Sequence, residues 1–429
     1  MASKNNLSVV IDMGTSKLIA AAGFKNDANK LVVSGISKTP SAGLRRGIIF
    51  NIEETAAAVS KVMADLENQT GESLRKINVA FAGQHLKTID YQGTKFTSDE
   101  GIVSRFDIDH IYSEAWKAEI ETGYKIIEVI PKSFIIDNEP IEMNPVGITG
   151  KKVEANYKLI ILPETYILNL QRVMDKAGYE LGEIKHAALA VSEAVLTDDE
   201  KEMGVIVLDV GAGTTKMAIY HENRLIQTSV IPFGGEVVTR DIKEGCSVLL
   251  KWAEQLKTQY GEALGDFADD QKVVTIPGHN GWEPKEISFK SLAFIIQARL
   301  EEIMDCVNAQ ISKSGIEENL GAGIVLTGGT TNMGNFISLV KFRTGMDARK
   351  GNLVIHLSEK KKEVVLSENY TALGLLRMIV EKTDITIREK PKKEKKKRES
   401  GGFSPLFQKV VQGVLNYIDD DNEDIPMKN

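Results

Sequence analysis

Residues 208–220 read LDVGAGTTKMAIY and place a glycine-rich turn directly after an apolar run. The run before the turn, VIVLDV, has the composition of a buried β-strand and carries Asp209 near its end. The turn holds two glycines and two threonines, whose backbone amides and hydroxyls suit the anionic oxygens of a phosphate. It closes with Lys216, which the sequence leaves open as a phosphate contact or a solvated loop lysine.

A second turn of the same kind lies about 200 residues earlier in the chain. IDMGTSKLIAA (residues 11–21) also joins a strand with an aspartate, Asp12, to a glycine, two hydroxyl side chains and a lysine. Two related turns predict two related subdomains with a ligand in the cleft between them. A third segment, GIVLTGGTTNMGNF (323–336), is a buried strand followed by paired glycines, which let the backbone approach a flat base or its sugar closely.

The bulk composition is that of a soluble globular protein, with 42% hydrophobic and 26% charged residues in a chain of 429. The net charge of −7 gives no indication of nucleic-acid binding. Cys246 and Cys306 are far apart, which argues against a disulfide framework and for a reducing, cytosolic compartment. The first apolar run is too short for a signal peptide, and no run reaches the roughly 18 residues that span a bilayer. Strand-like runs alternate with amphipathic segments at residues 52–66, 167–178 and 290–311, which predicts α/β layers.

The three glycine-rich elements, in this order and spacing, resemble the two phosphate loops and the adenosine loop of the actin, Hsp70 and sugar-kinase ATPase superfamily. Within that superfamily, longer segments resemble the FtsA family of bacterial cell-division proteins. These segments are residues 128–160, with a turn at Pro145, Gly147 and Gly150, and residues 192–220, 230–242 and 253–261.

The resemblance implies an α/β, actin-like two-lobed fold with an FtsA-type 1C subdomain, ATP as the ligand, and a C-terminal linker and amphipathic helix. The implied subdomains are 1A (1–84 and 164–195), 1C (85–163), 2A (196–235 and 316–383) and 2B (236–315). Asp12 and Asp209 are candidates to hold Mg²⁺, mostly through water. The implied nucleotide contacts are Asp12, Gly14, Thr15, Ser16, Lys17, Asp209, Gly211, Gly213, Thr214, Thr215, Gly234, Gly235, Glu254, Lys257, Gly328 and Gly329. Glu254 and Lys257 have an alternative interpretation as charges on a polar helix face.

Two places depart from the family pattern. The second phosphate loop of the family usually ends GGGTT followed by Asp, whereas here GAGTT is followed by Lys216. The preceding helix usually resembles LEPLASAEAVL, whereas HAALAVSEAVL places His186, Ala187 and Ala188 at its first, second and third positions. In the superfamily the two polar positions flank the water that attacks the γ-phosphate, which alanine cannot position and a charged lysine cannot deprotonate. We therefore predict ATP binding with very slow hydrolysis, and Lys216 as a second cation on the phosphates that mirrors Lys17.

The composition changes after residue 383. A basic linker (384–402), with seven basic residues among the nine of KPKKEKKKR, precedes a periodic segment (403–418) and an acidic tail (419–429). The periodicity predicts an amphipathic helix that lies on a membrane, docks in a partner's groove or folds back on the body. The basic run and the resemblance favour an anionic membrane surface, whereas the acidic tail opposes it. The predicted membrane-facing residues are Phe403, Leu406, Phe407, Val410, Val411, Val414, Leu415 and Ile418.

The favoured function is an actin-like, ATP-loaded polymer that tethers FtsZ filaments at the division septum, on the cytoplasmic face of the inner membrane. The resemblance implies that the FtsZ C-terminal peptide docks on subdomain 2B, where Arg299 is a candidate contact, and that filaments form through 1C. One alternative is a sugar or acetate kinase, against which the lack of a further acidic group near the cleft argues. Another is a pilus-assembly relative of FtsA, which is expected to lack the basic linker and terminal helix.

Overall fold

A computed structural model describes residues 7–98, 101–141, 144–278 and 283–388, with side chains up to Lys382. The predicted amphipathic helix, the acidic tail and most of the predicted linker lie outside the described residues. Among the helices that are described, none is long and apolar enough to cross a membrane.

The described residues form strands and helices in alternation, as the sequence predicts. The strands are β1 (Ser8–Met13), β2 (Lys17–Lys25), β3 (Leu31–Pro40), β4 (Leu44–Arg45), β5 (Ile48–Ile49), β6 (Lys76–Phe81), β7 (Lys87–Phe96), β8 (Tyr124–Ile136), β9 (Glu139–Ile141), β10 (Lys152–Pro163), β11 (Glu180–His186), β12 (Val205–Val210), β13 (Thr215–His221), β14 (Arg224–Ile231), β15 (Val273–Ile276), β16 (Lys285–Ser288), β17 (Gly323–Thr327) and β18 (Ala348–Lys350). The helices are α1 (Ile52–Thr70), α2 (Arg105–Ala115), α3 (Glu164–Ala177), α4 (Ala187–Val195), α5 (Asp198–Met203), α6 (Gly235–Gly245), α7 (Leu250–Tyr260), α8 (Phe289–Ser314), α9 (Phe336–Thr344) and α10 (Tyr370–Arg388).

Two five-stranded sheets share one topology. The first has the order β3-β2-β1-β6-β11 and the other the order β14-β13-β12-β17-β18. In each, an antiparallel meander of three strands is continued by two parallel strands. The strands that carry Asp12 and Asp209 occupy the same central place in the two sheets. The internal repeat that the two turns predict is therefore present in the fold.

Hydrophobic periodicity explains why helices cover the sheet of each lobe. In α1 the buried side chains recur three and four residues apart, from Ala56 through Val59 and Met63 to Leu66, so one face packs on the first sheet. Asn51 caps the start of α1 by accepting from the Glu54 amide. In the second lobe α8 presents the same kind of stripe to a separate core.

A separate four-stranded sheet, in the order β7-β10-β8-β9, carries α2 and has a hydrophobic core of its own. It is attached to both lobes through polar contacts. The Lys185 ammonium on β11 donates to Glu128 on β8 at 2.7 Å, where Glu128 is buried and the Lys185 side chain is 15% exposed. The hydroxyls of Thr88 on β7 and Thr228 on β14 lie 2.5 Å apart. This sheet therefore braces the first lobe against the second.

Helix α10 returns to the first lobe, where it packs on α4, β1 and β2. The crossing with α4 is close, because a β-carbon added to Gly374 would lie 1.7 Å from the carbonyl oxygen of Ala190. The predicted boundaries place residues 316–383 in subdomain 2A, whereas this last helix lies against the first sheet. Its apolar face could have covered either sheet, and the boundary came from the resemblance alone.

Candidate functional site

The first and second glycine-rich turns meet across the cleft between the lobes. The first turn follows β1 and the second follows β12. A β-carbon added to Gly213 would lie 2.5 Å from Oγ1, 2.8 Å from Cγ2 and 2.9 Å from Cβ of Thr15. Only glycine fits this approach without movement of Thr15. The sequence-predicted convergence of the two turns is therefore seen in the fold.

The third segment packs behind the second turn. Gly328 has a φ of 90°, and a β-carbon there would lie 2.5 Å from Oδ1 of Asp209 and 2.4 Å from the carbonyl oxygen of Val210. The Thr330 hydroxyl donates to the carbonyl oxygen of Gly211 at 3.4 Å. Gly329, in contrast, has open space at the place of its absent side chain. The backbone at Gly329 is therefore exposed.

The start of α6 completes the wall of the second turn. The Gly235 amide donates to the Gly211 carbonyl at 2.9 Å, and the Glu236 amide donates to the Ala212 carbonyl at 2.8 Å. These two amides at the start of α6 are thus hydrogen-bonded within the protein. In the part of the chain that the structure describes, the amides of Ala212 and Gly213 donate to no protein acceptor. These two amides are therefore the donors that the second glycine-rich turn has available for an anion.

Lys257 and Glu254 on α7 contact this wall, with the Glu254 side chain 51% exposed. The Lys257 ammonium donates to the Gly235 carbonyl at 3.0 Å and to the Thr239 hydroxyl at 2.7 Å. Glu254 accepts from Lys257 at 2.7 Å and from Thr239 at 2.5 Å. The Lys257 side chain is only 12% exposed, so it is not a solvated charge on a helix face. It ties α7 to the glycine pair at the start of α6.

Lys216 is buried and paired, which excludes the solvated loop lysine. It stands directly opposite Asp209 in the antiparallel β12–β13 pair, so the two side chains share one face of the sheet. Its ammonium lies 2.6 Å from Oδ2 of Asp209, and the residue is 9% exposed. Burial alone would lower the pKa of Lys216, but the charges of Asp209 and Asp12 outweigh burial and raise it. The lysine therefore stays charged at neutral pH.

Asp12 faces the same ammonium from the first lobe. Burial raises the pKa of the Asp12 carboxyl to about 6, although the Lys216 charge acts in the opposite direction. The Asp209 charge raises the pKa further. The two aspartates and the lysine thus form one electrostatic cluster that bridges the lobes at the end of the central strands.

Lys17 has a different environment from Lys216. Its ammonium pairs with Glu368, whose other carboxylate oxygen accepts from Lys38 at 2.6 Å. The register also separates the two lysines, because Met13 pairs with Leu18 and Val210 with Thr215, which makes Ile19 the equivalent of Lys216. The expected mirroring of the two lysines is therefore absent. Glu368 was not predicted, and at 351 residues from Lys17 it gives no local sequence signal.

His186 lies beside this cluster on the side of the first lobe. Its Nδ1 accepts from the Ala188 amide at 3.1 Å and so caps α4, which leaves the proton of the neutral ring on Nε2. That Nε2 is buried and has no partner among the described residues. Burial, aided by the charge of Lys216, lowers the pKa of His186 to about 3. Ala187, the next residue, contributes only a buried methyl group.

The remaining predicted contacts lie in the two glycine-rich turns or at the start of α6. Thr214 and Thr215 are buried in the second turn, and the Thr215 hydroxyl donates to the Phe233 carbonyl at 2.9 Å. A β-carbon at Gly234 would lie 2.5 Å from the Gly211 carbonyl oxygen, whereas one at Gly14 would lie 2.7 Å from that of Lys17. Ser16 is exposed and its carbonyl accepts from the Ser41 amide at 3.0 Å. All of these residues line or support the two turns.

The donor set fits a magnesium ion poorly. A Mg²⁺ ion held mostly through water and phosphate oxygens needs only one or two carboxylates, so the charge around the two aspartates decides the fit. Asp209, one of the two predicted ligands, is already held by the Lys216 ammonium. At an effective dielectric constant of about 20, unit charges about 4 Å apart interact by about 4 kcal/mol, so a divalent ion near the ammonium meets roughly twice that repulsion. Asp209 is therefore unsuited to hold Mg²⁺ while Lys216 is in place.

Arg299, the candidate partner contact on α8, is engaged within the protein. Its guanidinium pairs with Asp241 on α6, including an Nη2–Oδ1 contact of 3.2 Å, and with Glu302 one turn along α8. The arginine thus fastens α8 to α6. Cys246 and Cys306 are free cysteines.

Comparison with known proteins places this architecture. Residues 206–374 match the family model described as Cell division protein FtsA, and residues 83–161 match the one described as SHS2 domain inserted in FTSA. Cell division protein FtsA of Neisseria meningitidis serogroup B is 33% identical over 374 residues, which covers 86% of this chain and 88% of that protein.

Two solved structures show the fold at low identity. The PilM-PilN type IV pilus biogenesis complex has a TM-score of 0.60 at 15% identity, over 87% of this chain and 98% of that one. MreB5 of Spiroplasma citri bound to ADP has a TM-score of 0.54 at 14% identity, over 89% and 98%. The predicted α/β, actin-like fold is confirmed. With a relative at 33% identity across most of both chains and two matching family models, this chain belongs to the FtsA family of cell division proteins.

Proposed function

We propose that this chain binds ATP in the cleft between its lobes and that the ATP-loaded protein polymerises on the membrane and tethers FtsZ filaments there. The observation that carries the nucleotide proposal is the meeting of the two glycine-rich turns at Thr15 and Gly213. Such turns cradle phosphate with backbone amides and hydroxyls. The structure of MreB5 of Spiroplasma citri, which shares the fold, was determined with ADP bound.

Each part of the wall has a place in this proposal. The first turn (14–17) and the second turn (211–216) hold the phosphates from the two lobes. Lys257 and Glu254 stand on the side of Gly235 where the ribose or base would lie. Gly329 leaves the backbone open to the flat face of the base. The tight Thr15–Gly213 approach means that nucleotide entry requires the lobes to part.

We propose that hydrolysis is very slow. Hydrolysis requires a group that positions the attacking water and stabilises charge beside it. At the start of α4 the chain offers the buried methyl of Ala187, and across the cleft the Lys216 ammonium, whose raised pKa keeps it from accepting a proton. Phosphate release should therefore be near background over hours. Brisk release that is unchanged in Lys216→Ala would contradict this part of the proposal.

The tethering proposal places the protein at the septum, on the cytoplasmic face of the inner membrane. The periodic segment 403–418 supplies eight apolar residues on one predicted helical face, next to a basic linker that suits anionic lipid. The FtsZ C-terminal peptide is the proposed partner of the surface formed by α6, α7 and α8 in subdomain 2B. Self-association into filaments through the four-stranded sheet is the third proposed interaction.

Equilibrium binding of ATP to the full chain tests the nucleotide site. We expect Lys257→Met to weaken binding by about tenfold or more, because it removes a cation and frees the glycine pair at the start of α6. Lys251→Met is the matched control, since Lys251 is exposed on the same helix and lies over the Trp252 ring. Equal weakening in both variants, or no ATP binding by the unaltered chain, would refute the proposed site.

Co-sedimentation with vesicles that contain anionic lipid tests the tether. The full chain should pellet with the vesicles, whereas a chain that ends at residue 400 should stay in the supernatant. If both pellet equally, the terminal segment is not the anchor. A pull-down with an immobilised FtsZ C-terminal peptide tests the partner, and retention of Arg299→Ala at the level of the unaltered chain would remove that arginine from the contact.

A further inference from the structure

The buried ammonium of Lys216 is a cation that the fold builds into the proposed phosphate end of the cleft. It contacts Asp209 at 2.6 Å, and a β-carbon added to Gly211 would lie 3.9 Å from it, so it borders the second turn. The equivalent position in the first lobe is Ile19, which is fully inside the apolar core. A lysine is therefore not a requirement of this hairpin, and packing alone does not account for it.

Two carboxylates beside a polyphosphate repel it unless a cation lies between them. Proteins commonly supply that cation as Mg²⁺, which takes carboxylates and phosphate oxygens together as ligands. In this chain Lys216 already neutralises Asp209 and faces Asp12, so the place of a divalent ion between the two lobes is taken by a side chain.

We infer that Lys216 replaces the divalent cation, so that this chain binds the metal-free form of a nucleoside triphosphate. The inference rests on the proposed nucleotide site and specifies the charge state of its ligand. An ammonium has three N–H donors, of which Asp209 uses one, and the others remain for phosphate oxygens.

His186 supports the same assignment from the first lobe. Its Nε2–H is a fully buried donor without a partner among the described residues, and it lies near enough to Lys216 for the two groups to influence each other's charge. Buried donors are almost always satisfied, and an anionic oxygen between Lys216 and His186 would satisfy this one. A divalent cation at that point would instead meet two donors and no lone pair.

The test is calorimetric titration of the full, nucleotide-free chain with ATP, once in excess MgCl₂ and once in excess EDTA. We expect the two dissociation constants of the unaltered chain to agree within about threefold. Lys216→Met should bind ATP at least about tenfold more tightly in MgCl₂ than in EDTA, because the carboxylates then need a metal. Lys216→Arg, which keeps the charge, should resemble the unaltered chain, as should the control Lys251→Met on the exposed face of α7.

The unaltered chain alone decides the inference if Lys216→Met does not fold. A loss of about tenfold or more in EDTA would overturn the inference while leaving the proposed nucleotide site intact. ATP binding that is absent in both buffers would overturn the proposed site, and with it the inference. Equal affinities in both buffers, with metal dependence appearing in Lys216→Met, would establish the lysine as the cation.

Discussion

Replacing Gly213 by alanine tests the contact on which the cleft is built. Gly213 has no positive φ, so its backbone accepts alanine and the effect comes from packing alone. The new methyl would lie 2.5–2.9 Å from three atoms of Thr15, whereas non-bonded carbon atoms prefer about 3.5–4.0 Å. Overpacking of this kind costs about 1–3 kcal/mol. We expect Gly213→Ala to reduce the free energy of unfolding by that amount in the nucleotide-free protein.

Urea unfolding at neutral pH measures the loss, and two further variants define its origin. Thr15→Gly removes all three clashing atoms, so adding it to Gly213→Ala should recover the stability of the Thr15→Gly single variant. Gly329→Ala is the matched control, because the added methyl meets nothing within 4 Å and the φ is not positive. Its effect should be below about 0.5 kcal/mol.

Two results would contradict this prediction. Gly213→Ala could prove as stable as the unaltered protein, which would mean that the turns do not touch in solution. Alternatively, the loss could persist undiminished in the Thr15→Gly background, which would place its cause outside the contact between the lobes.

Three further predictions concern buried polar groups. Between pH 7 and pH 5 His186 should lower the free energy of unfolding by about 2 kcal/mol, because its pKa of about 3 in the fold lies below the 6.5 of the unfolded chain. Asp12 acts in the opposite direction over the same range, because its pKa of about 6 lies above its ordinary 3.8 and acid protonates the folded state first. In urea titrations the stability of His186→Asn, which keeps the helix cap, should therefore shift by about 2 kcal/mol in its favour relative to the unaltered chain between pH 7 and pH 5. Lys216→Met should cost about 3–5 kcal/mol in the same assay by leaving Asp209 buried and unpaired, and most of that should return in the double variant with Asp209→Asn, whereas an unrecovered loss would point to lost packing. A double-mutant cycle of Thr88→Val and Thr228→Val should give a coupling free energy of about 1 kcal/mol, and a value near zero would mean that the four-stranded sheet is not hydrogen-bonded to β14 there.

Much of the fold could be predicted because its information is local. The repeated strand, aspartate and glycine around Asp12 and Asp209 indicate two equivalent hairpins, and the structure gives them equivalent places in two sheets of the same topology. The predicted helices 52–66, 167–178 and 290–311 correspond to α1, α3 and α8, with ends displaced by a few residues. Periodicity and turn residues suffice for such elements.

The partners of the charged groups could not be predicted because register and long-range pairing decide them. Lys216 follows Gly213 by three residues, as Lys17 follows Gly14, so residue counting makes the two lysines equivalent. The strand registers instead make Lys17 the equivalent of Thr214 and set Lys216 opposite Asp209. Lys216 is therefore a strand residue in a buried cross-strand pair rather than a turn residue. Glu368 reaches Lys17 only because the chain returns to the first lobe near its end.

That return also sets how the molecule carries load. Tension on the chain beyond residue 388 enters through α10, which transfers it to α4 and the first sheet. The close crossing at Gly374 and Ala190 resists a pull along the helix axis in shear, over its whole packed length. The load therefore enters the first lobe and does not have to cross the cleft to the second lobe. A protein held by its C-terminal end could therefore open and close its lobes without working against the force on its anchor.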